Sequence, residues 1–212
     1  MLISHQHHFI FVHVWKTGGN SIRKCLEPFS EDLFPKQESL FRSFFKQLGT
    51  MEKSNPAKID QHITFKELRT IIGAEDFKKY FKFAFVRNPL DLLVSYYHFI
   101  VQHENKHPQK DYIRSLKTFE DYVKWSEENE MIKLSQKRFV VDESGDLLAD
   151  YLGRFEKMQE SFHEITGHIG IKMRTLPILN SSNHDHYLAY YNSSTESIVR
   201  SVLSEDFALF NY

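Results

Sequence analysis

With 212 residues, 41% of them apolar and 15% aromatic, the chain can bury one sizeable α/β core and is too hydrophobic to remain disordered. A formal net charge of −1 without a long basic run argues against generic nucleic-acid binding but leaves room for a local basic pocket; the single cysteine, Cys25, excludes intramolecular disulfides and thiolate zinc clusters. No apolar stretch nears the roughly 20 residues that cross a bilayer, and the first residues lack the basic-then-apolar order of a signal peptide, so a cytoplasmic protein is expected.

Residues 1–8 carry His5, His7 and His8 and read as a frayed terminus rather than a metal site. Residues 9–14 are a nearly unbroken apolar, β-rich run, the pattern of a strand buried on both faces of a parallel sheet. Within it, His13 is expected to be a hydrogen-bonded structural histidine. Ile22, Cys25, Leu26 and Phe29 follow at i, i+3, i+4 and i+7, one face of a helix ending near Pro28. Between strand and helix lies a short loop with Lys16, Gly18 and Gly19. The glycines let the backbone turn tightly and bring N–H groups close to a ligand. The helix N-terminus adds partial positive charge and Lys16 a full one. This is a site for a phosphate or a similar oxyanion, or else a plain β-α turn with a surface lysine. It is not the Walker pattern, because Lys16 precedes the glycines.

Leu40, Phe41, Phe44, Phe45 and Leu48 have helical spacing and predict an amphipathic helix within 30–55. Thr64 followed by Glu67 reads as a capping box, which puts His62 in the loop just ahead of a helix running to about Ile72. Residues 81–86 form a second buried strand that delivers Arg87 at its C-terminal edge, where open α/β sheets place their ligands. Asn88 suits the N-cap of the next helix, Pro89 its first position and Asp91 its third. Leu90, Leu93, Val94, Tyr97 and Val101 form the apolar stripe of that helix. Ser95 lies about 140° from the middle of the stripe, so it need not be core. Arg87 and Ser95, eight residues apart, can approach one anion near the sheet edge.

Residues 102–117 read as a polar surface excursion and 118–129 as a helix with Phe119, Tyr122, Val123 and Trp125 inward. A pair of short strands, or one hairpin arm, is expected over 139–141 and 147–155 about a turn at 142–145, with Glu156 a structural partner at a strand end. Met158, Phe162, Ile165 and Ile169 mark another helix, 176–183 a loop, and His184 and His186 polar loop positions. The chain closes with helices around Tyr187 and from about Thr195 to Phe210. No repeat or linker interrupts it, so 1–212 reads as one domain.

Two segments together resemble a known family. Residues 11–22, Phe-Val-His-Val-Trp-Lys-Thr-Gly-Gly-Asn-Ser-Ile, resemble the 5′-phosphosulfate-binding loop of the sulfotransferases. Residues 83–97, Phe-Ala-Phe-Val-Arg-Asn-Pro-Leu-Asp-Leu-Leu-Val-Ser-Tyr-Tyr, resemble their 3′-phosphate-binding segment. Residues 153–156, 176–182 and 206–212 look like the same group, sulfotransferase family 2, which includes carbohydrate sulfotransferases of the heparan 2-O type and soluble bacterial relatives.

The resemblance implies a P-loop-like, three-layer α/β fold with a central, mainly parallel sheet flanked by helices. It implies transfer of the sulfuryl group of 3′-phosphoadenosine 5′-phosphosulfate (PAPS) to an acceptor hydroxyl, less readily an amine, with adenosine 3′,5′-bisphosphate as product. Lys16 is implied to contact the 5′-phosphosulfate, with Thr17, Gly18, Gly19, Asn20 and Ser21 wrapped around it. Arg87 and Ser95 are implied to bind the 3′-phosphate, and His62 to act as general base. The implied acceptor is a glycan or small hydroxylated molecule, with no nucleic acid, membrane span or metal involved. The acceptor pocket is expected between His62, Lys16 and the segments 30–60 and 101–140. Three positions depart from the family's pattern: Trp15 stands where proline is usual, Asn20 where threonine is common, and Ser181 where relatives are often basic. Two readings from other classes stay open, a P-loop kinase-like phosphotransferase and a non-catalytic nucleotide-binding module.

Overall fold

The structure, a computed structural model, describes residues 1–31, 62–102, 107–172, 175–177 and 185–212. From residue 32 onward the helix expected within 30–55 lies outside the described residues, as do Ser181, His184 and most of the 176–183 loop. The strands are β1 (Leu2–Ser4), β2 (Phe9–Val12), β3 (Phe81–Val86) and β4 (Tyr151–Arg154). The helices are α1 (Gly19–Leu26), α2 (Phe65–Ile72), α3 (Ala74–Phe77), α4 (Pro89–Gln102), α5 (Lys110–Ser115), α6 (Phe119–Asn129), α7 (Lys137–Val140), α8 (Met158–His168), α9 (Ser193–Val202) and α10 (Ser204–Phe210). Contacts divide the chain into two compact units, Met1–Phe85 with Arg138–Pro177, and Val86–Lys137 with Ile178–Tyr212.

In the first unit the strands lie in the order β1-β2-β3-β4, an open and mostly parallel sheet. β2 runs parallel to β3 with Phe9 opposite Phe81 and Val12 opposite Ala84, while β1 is antiparallel to β2. Alternation then sorts the side chains. Phe9, Phe11, Phe83 and Phe85 join Ile22, Cys25 and Leu26 of α1 and Phe162 and Ile165 of α8 in one buried cluster. On the other face the Lys82 ammonium sits 5.3 Å from the Phe77 ring, and Phe77 meets Phe65, so α2 and α3 cover that side. A sheet covered on both faces is why β2 and β3 read as continuous apolar runs. The Thr64 capping box forms as its spacing predicts: the Thr64 hydroxyl accepts from Glu67 N at 3.2 Å, and the Glu67 carboxylate accepts from Thr64 N at 2.8 Å.

The N-terminus is not frayed. β1 pairs along the sheet edge, His5 Nδ1 lies 2.6 Å from the Tyr80 hydroxyl, and His7 Nδ1 lies 3.3 Å from the Ile169 carbonyl oxygen. Those partners are 75 and 162 residues away, beyond any local pattern. The expected strand over 139–141 is instead mostly the single turn α7, followed by an antiparallel bridge between Val141 and Leu147. A short apolar run fits a buried helical turn as well as a strand.

In the second unit α4 starts as expected, with Asn88 Oδ1 accepting from Leu90 N at 2.9 Å. Its first half is enclosed on all sides: Leu90, Leu92, Leu93, Val94 and Ser95 are all buried. Ser95 is therefore core, at 3% exposure, where a single apolar stripe left it outside. The presumed surface excursion contains α5, anchored by fully buried Ile113. The helix expected from Thr195 to Phe210 is two helices, α9 and α10, with a break at Leu203.

Candidate functional site

β2 ends at Val12, and His13 and Val14 follow it, both buried. The chain then turns through Lys16 at φ 60° and Gly18 at φ 77° into α1. A lysine in the left-handed region carries strain of roughly 1 kcal/mol, the kind of outlier that surrounding structure must hold in place. Part of that hold is Thr17, 1% exposed, whose hydroxyl donates to the Val14 carbonyl at 2.9 Å and ties the loop back to the strand. Ser21 N donates to the Gly18 carbonyl at 3.0 Å and closes the first turn of α1. A Cβ on Gly18 would overlap the tip of Met158, and one on Gly19 would overlap the His13 imidazole. Gly19 is thus demanded by close approach, Gly18 by its backbone angle as well. Asn20 is exposed on the first turn and Ser21 is buried. Helix geometry leaves the first N–H groups of α1 without intrahelical acceptors, so the loop can hold an oxyanion against them.

His62 belongs to the same unit. Its Nδ1 lies 2.8 Å from the carbonyl oxygen of His13. A carbonyl only accepts, so Nδ1–H donates, and in the neutral ring Nε2 carries the lone pair. The His62 ring is 4.7 Å from the His13 ring and meets Trp15 edge-on at 5.6 Å. His13 is 6% exposed; burial first, and the neighbouring His62 charge second, push it down to about 3, so it is neutral at ordinary pH. Among the described residues its Nδ1 has no hydrogen-bond partner, so the expected structural histidine is held at this nitrogen by packing instead. Trp15, the departure from proline, packs against Phe139 with the rings tilted and 6.1 Å apart, and the Arg138 guanidinium lies 4.8 Å from the Trp15 ring and 4.7 Å from the Phe139 ring. Nothing in the local pattern pointed to Arg138, which is over a hundred residues from Trp15.

The second unit holds Arg87 and Ser95. Arg87 is 7% exposed and grips Asp91 with two bonds, Nε to Oδ2 at 2.7 Å and one terminal nitrogen to Oδ1 at 2.9 Å. Asp91 and Ser95, four residues apart on α4, share a helix face, which brings Ser95 one turn along from the ion pair. The Arg87 backbone is clamped: its N–H donates to Gln136 Oε1 at 2.9 Å and its carbonyl accepts from Gln136 Nε2 at 2.8 Å. Gln136 N donates in turn to Asp206 Oδ2 at 2.7 Å, and Asp206 Oδ1 accepts from the Ser135 hydroxyl and from Lys137 N. Burial pushes the Asp206 carboxyl above the usual range, and these hydrogen bonds oppose that rise. Gln136 carried no signal in the sequence; Asp206 stood only in the tail that resembles the family.

A mostly parallel open sheet whose strand empties through a glycine turn into a helix is the architecture of P-loop-like α/β proteins. The model of the Sulfotransferase family matches residues 1–212, and the chain belongs to that family. Membership makes it a transferase of sulfuryl groups, taking them from a donor to an acceptor substrate. No curated protein matches the chain. Among the described residues no group of three metal-ligating side chains is placed to hold an ion, and no helix is long and apolar enough to cross a membrane.

Proposed function

We propose that the chain is a PAPS-dependent sulfotransferase, a single domain over 1–212 acting in the cytoplasm on a hydroxyl of a glycan or small hydroxylated acceptor. The family match over the whole chain is the observation that carries this reading. The loop geometry supports the assignment of the donor's 5′ end: the left-handed turns at Lys16 and Gly18, and a Gly19 that tolerates no Cβ, suit a phosphosulfate seated on the start of α1.

In this reading Thr17, Gly18, Gly19, Asn20 and Ser21 line the phosphosulfate, and Lys16 sets its ammonium against the bridging oxygen. As the acceptor oxygen bonds to sulfur, the bond to that bridging oxygen breaks, and Lys16 stabilises the charge arriving on the leaving phosphate. His62 Nε2 takes the acceptor's hydroxyl proton, a role supported by the Nδ1–H bond to His13 that fixes the tautomer. Neutral His13 spares His62 a second positive charge at 4.7 Å. Arg87 and Ser95 take the 3′-phosphate. A guanidinium offers five N–H donors in a fixed fork, enough for Asp91 and a phosphate together. Phosphosulfate carries an excellent leaving group, so the reading requires no metal.

The test is transfer of labelled sulfate from PAPS to a panel of hydroxylated acceptors in excess chelator, alongside calorimetry with adenosine 3′,5′-bisphosphate. Transfer that survives the chelator is the expected result. A requirement for a nucleoside triphosphate and Mg²⁺ would replace this reading with a phosphotransferase. Tight bisphosphate binding without transfer to any acceptor would leave a nucleotide-binding module.

A further inference from the structure

We propose that Gln136 is a positioning residue that aims Arg87 at the 3′-phosphate of the nucleotide, with Asp206 fixing Gln136 in turn. The inference rests on the proposed role of Arg87 and adds to it the device that sets the arginine. An arginine that must meet a phosphate needs its Cα held still, because error at the backbone is multiplied along a four-bond side chain. Arg87 directly follows β3, where ladder hydrogen bonds no longer hold it. The Gln136 amide supplies both halves of a ladder contact at that point, accepting from Arg87 N and donating to Arg87 O at 2.9 and 2.8 Å. It imitates the peptide group of a neighbouring strand.

The side chain of Gln136 is fully buried, so neither bond competes with water. Its own backbone is anchored by Asp206, 1% exposed, whose carboxylate also gathers the Ser135 hydroxyl and Lys137 N–H. Beyond the backbone, Asp91 fixes the plane of the guanidinium. Backbone, side-chain plane and anchor are therefore each set by a different partner, drawn from positions 91, 136 and 206. None of the three need touch the nucleotide.

Gln136→Glu separates aim from mere stability. A carboxylate still accepts from Arg87 N, but its second oxygen faces the Arg87 carbonyl, two acceptors without a proton between them. Protonation restores the donor. Binding of adenosine 3′,5′-bisphosphate and of adenosine 5′-monophosphate is measured by calorimetry on the full chain at pH 8 and pH 5.5, with Gln136→Asn as a second variant too short to reach both backbone groups. At pH 8 the Glu variant is expected to lose roughly tenfold or more in bisphosphate affinity while its monophosphate affinity changes little. Part of that loss should return at pH 5.5, beyond any change in the wild type. The Asn variant should show the loss at both pH values.

Equal weakening toward both nucleotides would make Gln136 a general fold support and overturn the inference. So would an unchanged preference in either folded variant. If the wild-type protein itself fails to prefer the 3′-phosphorylated nucleotide, the proposed function falls and this inference with it.

Discussion

Gly19→Ala tests the packing that joins the glycine loop after β2 to His62. The added methyl would overlap the His13 imidazole at its Cγ, Cδ2 and Nε2. The ring has little room to retreat: it is 6% exposed, stacks on fully buried Phe11 at 6.1 Å and lies 4.7 Å from the His62 ring. Overpacking of this kind costs about 1–3 kcal/mol. For a chain of this size that lowers the melting temperature by roughly 4–8 °C at a cost near 2 kcal/mol. Any shift of His13 also carries the carbonyl that orients His62, so turnover should fall beyond what unfolding explains. Gly18→Ala is the control. Its methyl meets the flexible end of Met158, leaving mainly the left-handed φ of 77°, a penalty of roughly 1–2 kcal/mol. That variant should melt lower without displacing the His13 ring or the carbonyl that orients His62, so it isolates the cost of the backbone angle from that of the wedge. Differential scanning calorimetry with single-turnover rates decides it. Gly19→Ala protein melting within about 1 °C of the parent at full rate would refute the wedge.

Three further outcomes are expected. His62→Ala should bind adenosine 3′,5′-bisphosphate as the parent does yet turn over roughly 10²-fold more slowly or worse; a parental rate would remove His62 as the base. Arg87→Ala should weaken bisphosphate binding at least several-fold and destabilise the fold as well, because it strands the Asp91 carboxylate at 13% exposure; calorimetry showing unchanged affinity would count against the assignment. His13 is neutral in the fold down to about 3, whereas an exposed histidine charges near 6.5. Between those values the unfolded chain binds the extra proton, so stability is full above 6.5 and declines on acidification toward 3. His13→Gln removes that dependence. The stability gap between parent and variant, from urea unfolding, should narrow by on the order of 2 kcal/mol from pH 7 to pH 5; a constant gap would contradict the burial argument.

Much of the molecule was legible along the chain because its signals act over four residues or fewer. Asn88 caps α4 ahead of Pro89, and the capping box at Thr64 forms within a single turn. The strand-loop-helix run through Lys16 and Gly18 likewise follows from side chains and glycines in immediate succession. Burial on both faces made β2 and β3 visible as apolar runs, and the same sequence pattern carried the family resemblance. Residues in register with distant partners were not legible. Ser95 looked peripheral because one stripe describes one contact, and α4 has neighbours all round. The strand at Leu2–Ser4 exists because β2 offers it an edge. The wedge of His13 between Gly19 and His62, and the clamp of Gln136 on Arg87, join positions 49 residues apart. Sequence spacing alone determined which groups could bind an anion and which turn would present them. Tertiary structure alone decided how those groups are held and oriented, since hydrogen bonds and close packing depend on distances in space that folding creates and no local pattern encodes.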